Sequence, residues 1–335
     1  MKLDNRLKEI GSQWNVTQLT TPRNIQDSYE DRMLTSWVPQ YLDIDFEMLL
    51  DAYRDILLNI YTYEFDTSLQ VFYVDKINEY IKYLEAFKER DAKAITAIHG
   101  DTEPEFLLRY NKQLEEICEK TLNYTSPTNL YGVEYASGYL QSILDQKNLP
   151  YTCEARDMIA KASVNHANHK VYVNKGGMYG RNELRRLAAH EIGTHITRSI
   201  SGKERGSFLY EVGFANYIEL EEGLAVFMEV AAGYPEGLAR TYLRLVAANL
   251  CMENTFEDMY KEMRSRFPNI DENQIYDICF RMKRGLKNFN DFGGYTKDRL
   301  YLTGYLKLHD LVGRSKKKVE KILHDGKTNF KYYGK

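Results

Sequence analysis

His190, Glu191 and His195 stand within the ten residues from Ala188 to Thr197. Two neutral imidazoles and a carboxylate supplied from elsewhere make a Zn²⁺ site with one coordination position left open. A glutamate directly after the first histidine is the usual general base of a zinc hydrolase. It takes a proton from a water whose pKa the ion lowers toward about 7, then passes that proton to the leaving amine.

The interval between the histidines is five residues rather than four. On an ideal α-helix four residues separate side chains by roughly 40°, whereas five separate them by roughly 140°, too far for one ion. A one-residue π-bulge absorbs the extra residue, and such bulges concentrate at functional sites. Gly193 lies between the histidines and tolerates the distortion. The remaining ligand is expected to be Glu222, in Glu221-Glu222-Gly223-Leu224-Ala225. A glutamate followed by glycine and small or apolar residues, on a helix packed against the histidine helix, resembles the third-ligand arrangement of gluzincin metallopeptidases. The expected centre is one Zn²⁺ per chain on His190, His195 and Glu222, with Glu191 as catalytic base.

Helices must carry most of this. Before the motif, apolar residues recur at helical spacing at Leu50, Tyr53, Leu57 and Ile60, at Val74, Ile77, Ile81 and Leu84, and at Leu107, Tyr110, Leu114 and Ile117. A further helix is expected over Tyr135–Gln146. Two strands, Thr152–Asn165 and His169–Asn174, then flank the turn Asn165-His166-Ala167-Asn168. Asn182 is placed to cap the histidine helix, with Glu183 favouring its N-terminus. Beyond it, helices are read over Phe214–Ala232, Glu236–Leu250, Asp271–Arg284 and Lys297–Val312, with a last one from Ser315. The expected fold class is α+β, predominantly α-helical, with a small, mostly antiparallel β-sheet before the metal-binding helix. A boundary near residue 150 separates a helical N-terminal lobe (1–150) from a catalytic lobe (151–335).

The net charge of −3 over 335 residues excludes a generic nucleic-acid binder. No apolar run reaches the roughly 18 residues of a membrane span, and the N-terminal residues lack the apolar core of a signal peptide. Four scattered cysteines without Cys-x-x-Cys spacing read as reduced thiols of a cytoplasmic protein. Between Tyr151 and Gly206, ten Lys and Arg face five Asp and Glu. Such a local excess of positive charge steers acidic peptides toward the site.

The His190-Glu191-Ile192-Gly193-Thr194-His195 motif, Ser201-Gly202, and Glu221 to Ala225 closely resemble the microtubule-associated tyrosine carboxypeptidases. Gly293-Gly294-Tyr295-Thr296-Lys297-Asp298, with Tyr301 and Gly304, is similar to the family's late motif. Prokaryotic relatives carry Gln-Glu-Gly-Leu-Ala, and Glu221 stands at the Gln position. The resemblance implies a two-lobed, gluzincin-like zinc carboxypeptidase whose partner is a peptide or protein C-terminal tail, with removal of a C-terminal tyrosine as in tubulin tails. It also implies an edge strand pairing with the substrate backbone, the slot of Lys170–Asn174 with Tyr172. Tyr301 and Tyr305 are candidate oxyanion donors. The cation for the terminal carboxylate is sought among Lys175, Arg198, Arg205, Lys297 and Arg299.

Two other readings share these residues. Dipeptidyl peptidase III-like enzymes also place histidines five apart, with the glycine immediately before the second, and they require a free amine on the substrate. A non-catalytic, metal-binding regulatory protein would keep its role without Glu191.

Overall fold

Val171, Tyr172 and Val173 put three consecutive β-formers into one segment, and the computed structural model makes that segment the middle of the principal sheet. The structure describes every residue except 1, 29, 30, 32, 33, 35, 124–128, 159, 167 and 335. Five short strands are present among them: β1 (Leu130–Tyr131), β2 (Thr152–Arg156), β3 (Ala162–Asn165), β4 (Lys170–Asn174) and β5 (Tyr179–Gly180). The three-stranded sheet has the order β2-β4-β3, with β2 parallel and β3 antiparallel to β4. β1 and β5 form a separate antiparallel pair.

Two expectations are corrected here. The long first strand is two strands, β2 and β3, which lie on opposite sides of β4. Lys170–Asn174 is therefore a central strand, hydrogen-bonded along both sides, and offers no edge to a substrate backbone. Alternating apolar residues mark a strand as half-buried but do not say which strand occupies the middle. The turn between β3 and β4 is where it was read, with Asn165 Oδ1 accepting from the Asn168 amide at 3.3 Å; Ala167 lies outside the described residues.

From β5 the chain enters one continuous helical rod, α-helical over Arg181–Leu187, π-helical over Ala188–Ile196 and α-helical again over Thr197–Glu204. Its N-cap is Gly180, not Asn182; the Glu183 carboxylate accepts from the Gly180 amide at 3.4 Å. The glutamate helix, Tyr217–Ala231, packs on this rod and on the tyrosine helix, Leu300–Val312. The tyrosine helix begins three residues later than expected because Thr296–Arg299 form a 3₁₀ turn.

The glutamate and tyrosine helices meet through their glycines. A Cβ added at Gly304 would lie 1.9 Å from the Glu219 carbonyl oxygen, and one at Gly223 would lie 2.2 Å from the Gly304 carbonyl carbon. The crossing is closed by Leu220, Leu224, Leu308 and Val312, and by the Thr303 hydroxyl donating to Glu219 at 2.7 Å.

Backbone contacts divide the chain into two units of interleaved segments, where the sequence reading drew one cut near residue 150. One comprises Met1–Glu116, Phe214–Asn216 and Tyr242–Arg299; the other comprises Ile117–Gly213, Tyr217–Thr241 and Leu300–Lys335. Apolar stripes identify a buried helix face, not the distant segment that covers it. In the first unit Phe46–Leu58 packs on Gln70–Glu89, and Phe256–Arg266 on Glu272–Lys283. There Asp298 of the late motif is buried and takes two bonds from Arg281, with Arg244 and Arg284 also facing it. Burial opposes its charge, but these guanidiniums hold it well below the usual carboxylate range. The second unit contains the sheet, the histidine rod and both helices packed near it. Among the described residues no helix is long and apolar enough to cross a membrane.

Gly304→Ala is expected to force the two helices apart. Overpacking of this kind costs about 1–3 kcal/mol or more, so the melting temperature of the unit should fall by several degrees, read by calorimetry. An unchanged transition would show that the crossing relaxes freely.

Candidate metal centre

The π-helical segment answers the spacing problem directly. Its backbone bonds close at five-residue intervals, so residues five apart stack as residues four apart do on an α-helix. Two hydroxyls follow the same interval: Thr194 donates to the Ala189 carbonyl at 3.1 Å and Thr197 to the Ile192 carbonyl at 3.2 Å. His190 and His195 consequently share a face, their ring centroids 4.8 Å apart and nearly perpendicular. Gly193 is less critical than its position suggests. A Cβ there would meet only the Ala188 carbonyl at 3.7 Å, an ordinary contact.

Glu222 completes the group. Its Oε2 lies 3.5 Å from His190 Nε2 and 3.6 Å from His195 Nε2. Ligand atoms about 2.0–2.2 Å from a tetrahedral zinc lie roughly 3.4 Å from one another. Glu222 thus stands at that separation from each imidazole, and the three ligand atoms all lie within 4.8 Å of one another, so the side chains could hold such an ion with one position left for water or substrate. Glu191 follows His190 on the same turn and is buried.

Behind each imidazole stands a carboxylate, and behind each carboxylate an arginine. His190 Nδ1 bonds Glu229 at 2.6 Å, and Arg186 donates to the same oxygen at 2.8 Å. His195 Nδ1 bonds Glu221 Oε1 at 2.8 Å, and Arg198 Nε donates to Glu221 Oε2 at 2.6 Å. Holding Nδ1 in this way fixes the tautomer and turns Nε2 toward the shared point. A Cβ at Gly237 would come within 2.1 Å of Glu229 Oε2, so the bare start of helix Gly237–Leu250 makes room for that carboxylate.

The electrostatics match a cation. Burial alone would depress both imidazoles, but bonds to Glu221 and Glu222 push His195 up to about 10, and Glu222 with Glu229 raise His190 as well. Burial likewise opposes charge on Glu221, yet Arg198 and His195 hold it at about 2. The buried carboxylates thus favour positive charge between them, carried by protons on the imidazoles or by a cation that replaces those protons.

Other expected site residues divide. Tyr301 stacks on His190, ring centroids 6.1 Å apart and planes 17° apart. Tyr305, one turn further on, packs against Phe227 and His309. Arg198 is not available to a substrate: it is fully buried on Glu221 and on the Ile322 and Thr328 carbonyls. Arg205 pairs with Asp325 and covers the Tyr210 ring. Lys175 is exposed on the turn after β4. Tyr172 is buried in the central strand, its hydroxyl accepting from Asn168 at 2.9 Å. Lys297 and Arg299 belong to the other unit, where Arg299 donates to the His99 carbonyl.

The sequence reading missed Glu229, Arg186 and the role of Glu221. Signals existed. Arg186 lies four residues before His190, Arg198 three after His195, and Glu229 two turns beyond Glu222 in the otherwise apolar run Leu224–Ala231.

A family model described as microtubule-associated tyrosine carboxypeptidase matches residues 35–334. The chain belongs to that family. Its human relative "Putative tyrosine carboxypeptidase MATCAP2" is 30% identical over 131 residues, 37% of this chain and 24% of that protein. The mouse "Microtubule-associated tyrosine carboxypeptidase 1" is 28% identical over 131 residues, 37% of this chain and 27% of its own length. The matched stretch thus spans about a quarter of each of these relatives.

The geometry predicts one zinc per chain, measurable by elemental analysis. Glu229→Gln should weaken zinc binding about 10- to 100-fold. Ligation needs neutral imidazoles, so apparent affinity should fall on acidification, by up to about tenfold per pH unit for each proton displaced. Chelator competition between about pH 6 and 9 checks the sign; affinity independent of pH would contradict the protonated, metal-free site.

Proposed function

We propose that this chain is a zinc-dependent carboxypeptidase that hydrolyses the last peptide bond of a peptide or protein C-terminal tail. Tyrosine is the proposed leaving residue and an acidic, tubulin-like tail the proposed substrate. The observation that carries this reading is the convergence of His190 Nε2, His195 Nε2 and Glu222 Oε2, with Glu191 on the same turn. The family's printed name and the order of sheet, histidine helix and glutamate helix support it. The gluzincin-like, two-lobed organisation and a cytoplasmic location belong to the same reading.

Zinc bound at these side chains supplies a Lewis acid for the scissile carbonyl and lowers the pKa of a water molecule. Glu191 takes the proton from that water as it attacks and hands it to the departing amino group. The Tyr301 hydroxyl, on a ring stacked against His190, donates to the carbonyl oxygen as charge builds there. Glu221 and Glu229 keep the two imidazoles aimed throughout, without entering the proton path. Lys175, exposed on the turn after β4, is the proposed cation for the terminal carboxylate, Arg198 and Arg205 being engaged with Glu221 and Asp325.

Glu191→Gln is expected to keep zinc and to lose at least about 10²–10⁴ in kcat/KM. Mass spectrometry on a peptide library with free or amidated C-termini, and free or acetylated N-termini, identifies the reaction. Release of single C-terminal residues, stopped by amidation and indifferent to acetylation, is the expected result. Release of N-terminal dipeptides that requires a free amine would replace this reading with the aminopeptidase one, and a fully active Glu191→Gln would remove the assigned base.

A further inference from the structure

Arg198 has more to do than neutralise Glu221. It is fully buried, and its guanidinium faces two ways. Nε donates to Glu221, whose other oxygen holds His195 Nδ1. The two terminal nitrogens turn outward, one to the Ile322 carbonyl and the other to the Thr328 carbonyl at 3.5 Å. Both acceptors belong to the segment that ends helix Lys316–His324 and continues through Tyr333.

That segment is seated by its own set of ties. Asp325 is almost fully buried, pairs with Arg205, and accepts from Lys321 at 2.7 Å and from the Tyr333 hydroxyl at 2.9 Å. The Tyr333 and Thr328 hydroxyls lie 3.0 Å apart. The Lys327 amide donates to the Tyr210 carbonyl at 2.8 Å. Gly326 turns at φ +78°, and a Cβ there would come within 2.8 Å of both Gly202 Cα and the Tyr210 carbonyl oxygen.

A buried guanidinium is stable only while its donors are satisfied, and a buried pair that loses one partner costs several kcal/mol. If residues 322–333 lift away, water reaches Arg198 and then Glu221, and His195 loses the neighbour that aims it. We infer that Arg198 is a positioning residue that couples the seating of residues 322–333 to the zinc affinity of the centre. Resting on the zinc reading above, the coupling is reciprocal by linkage: zinc tightens the segment as much as the segment tightens zinc. Any event that releases this segment thereby loosens the metal.

The test uses the full chain. Zinc affinity is measured by chelator competition for the parent, Asp325→Ala, Arg198→Lys and, as a destabilised control, Ile56→Ala in helix Phe46–Leu58 of the other unit. Asp325→Ala removes the ties to Arg205, Lys321 and Tyr333, and with them part of what seats the segment, without touching a ligand. Arg198→Lys keeps the charge on Glu221 but not the fork that also reaches two carbonyls. Both should lose about 3- to 30-fold in zinc affinity, while Ile56→Ala, destabilised by the loss of a buried side chain, keeps the parental value. Hydrogen exchange of residues 322–333 should slow when zinc is added to the parent. Parental zinc affinity in Asp325→Ala, or exchange in the segment indifferent to zinc, overturns the inference alone. A parent chain that takes up no zinc overturns both this inference and the function proposed above.

Discussion

Three buried carboxylates on one helix are the constraint from which the rest of this unit follows. Glu221, Glu222 and Glu229 are each less than a tenth exposed, and an isolated buried carboxylate is too costly to keep charged. Each is compensated by a specific neighbour. Glu221 has Arg198 and His195, Glu229 has Arg186 and His190, and Glu222 faces both Nε2 atoms. Removing any member strands charge in a low-dielectric interior, so the helices cannot slide or rotate independently without breaking pairs.

The backbone carries the same constraint. A regular α-helix would turn His195 away from Glu222 and from Glu221 together. The π-helical stretch over Ala188–Ile196 returns it to the face of His190. The Gly223–Gly304 contact then sets how near the tyrosine helix comes to this arrangement, and so places Tyr301 against His190. A departure from ideal helix and two missing side chains thus serve a single geometry.

Much of the centre was legible in the sequence because the signals were local. His190, Glu191, His195 and Glu222 are adjacent or linked by one helix pairing, and the five-residue interval itself demanded the π distortion that is present. What was not legible depends on long-range pairing. Lys170–Asn174 has the composition of a strand, yet its central place between β2 and β3 is decided by segments whose own patterns are ambiguous. Arg198 looked like a cation open to substrate because its type suits a carboxylate. Besides Glu221, its acceptors lie more than a hundred residues away, at Ile322 and Thr328. Glu221 read as a departure from a motif, although its two oxygens separately accept from Arg198 and from His195, where an amide would turn an NH2 donor toward one of them.

The placement of one ligand and both supporting carboxylates on the helix Tyr217–Ala231 has a mechanical meaning. Were zinc held there, a few degrees of roll about that axis would displace Glu222 from it and withdraw the props from both imidazoles in the same motion. The helix is a single jaw closing on a fixed pair of teeth, and intermediate grips that retain two good donors are disfavoured. Capture of a metal by such a clamp would then approach an on-or-off event, with the population of loaded molecules, rather than a graded change within each molecule, setting the output.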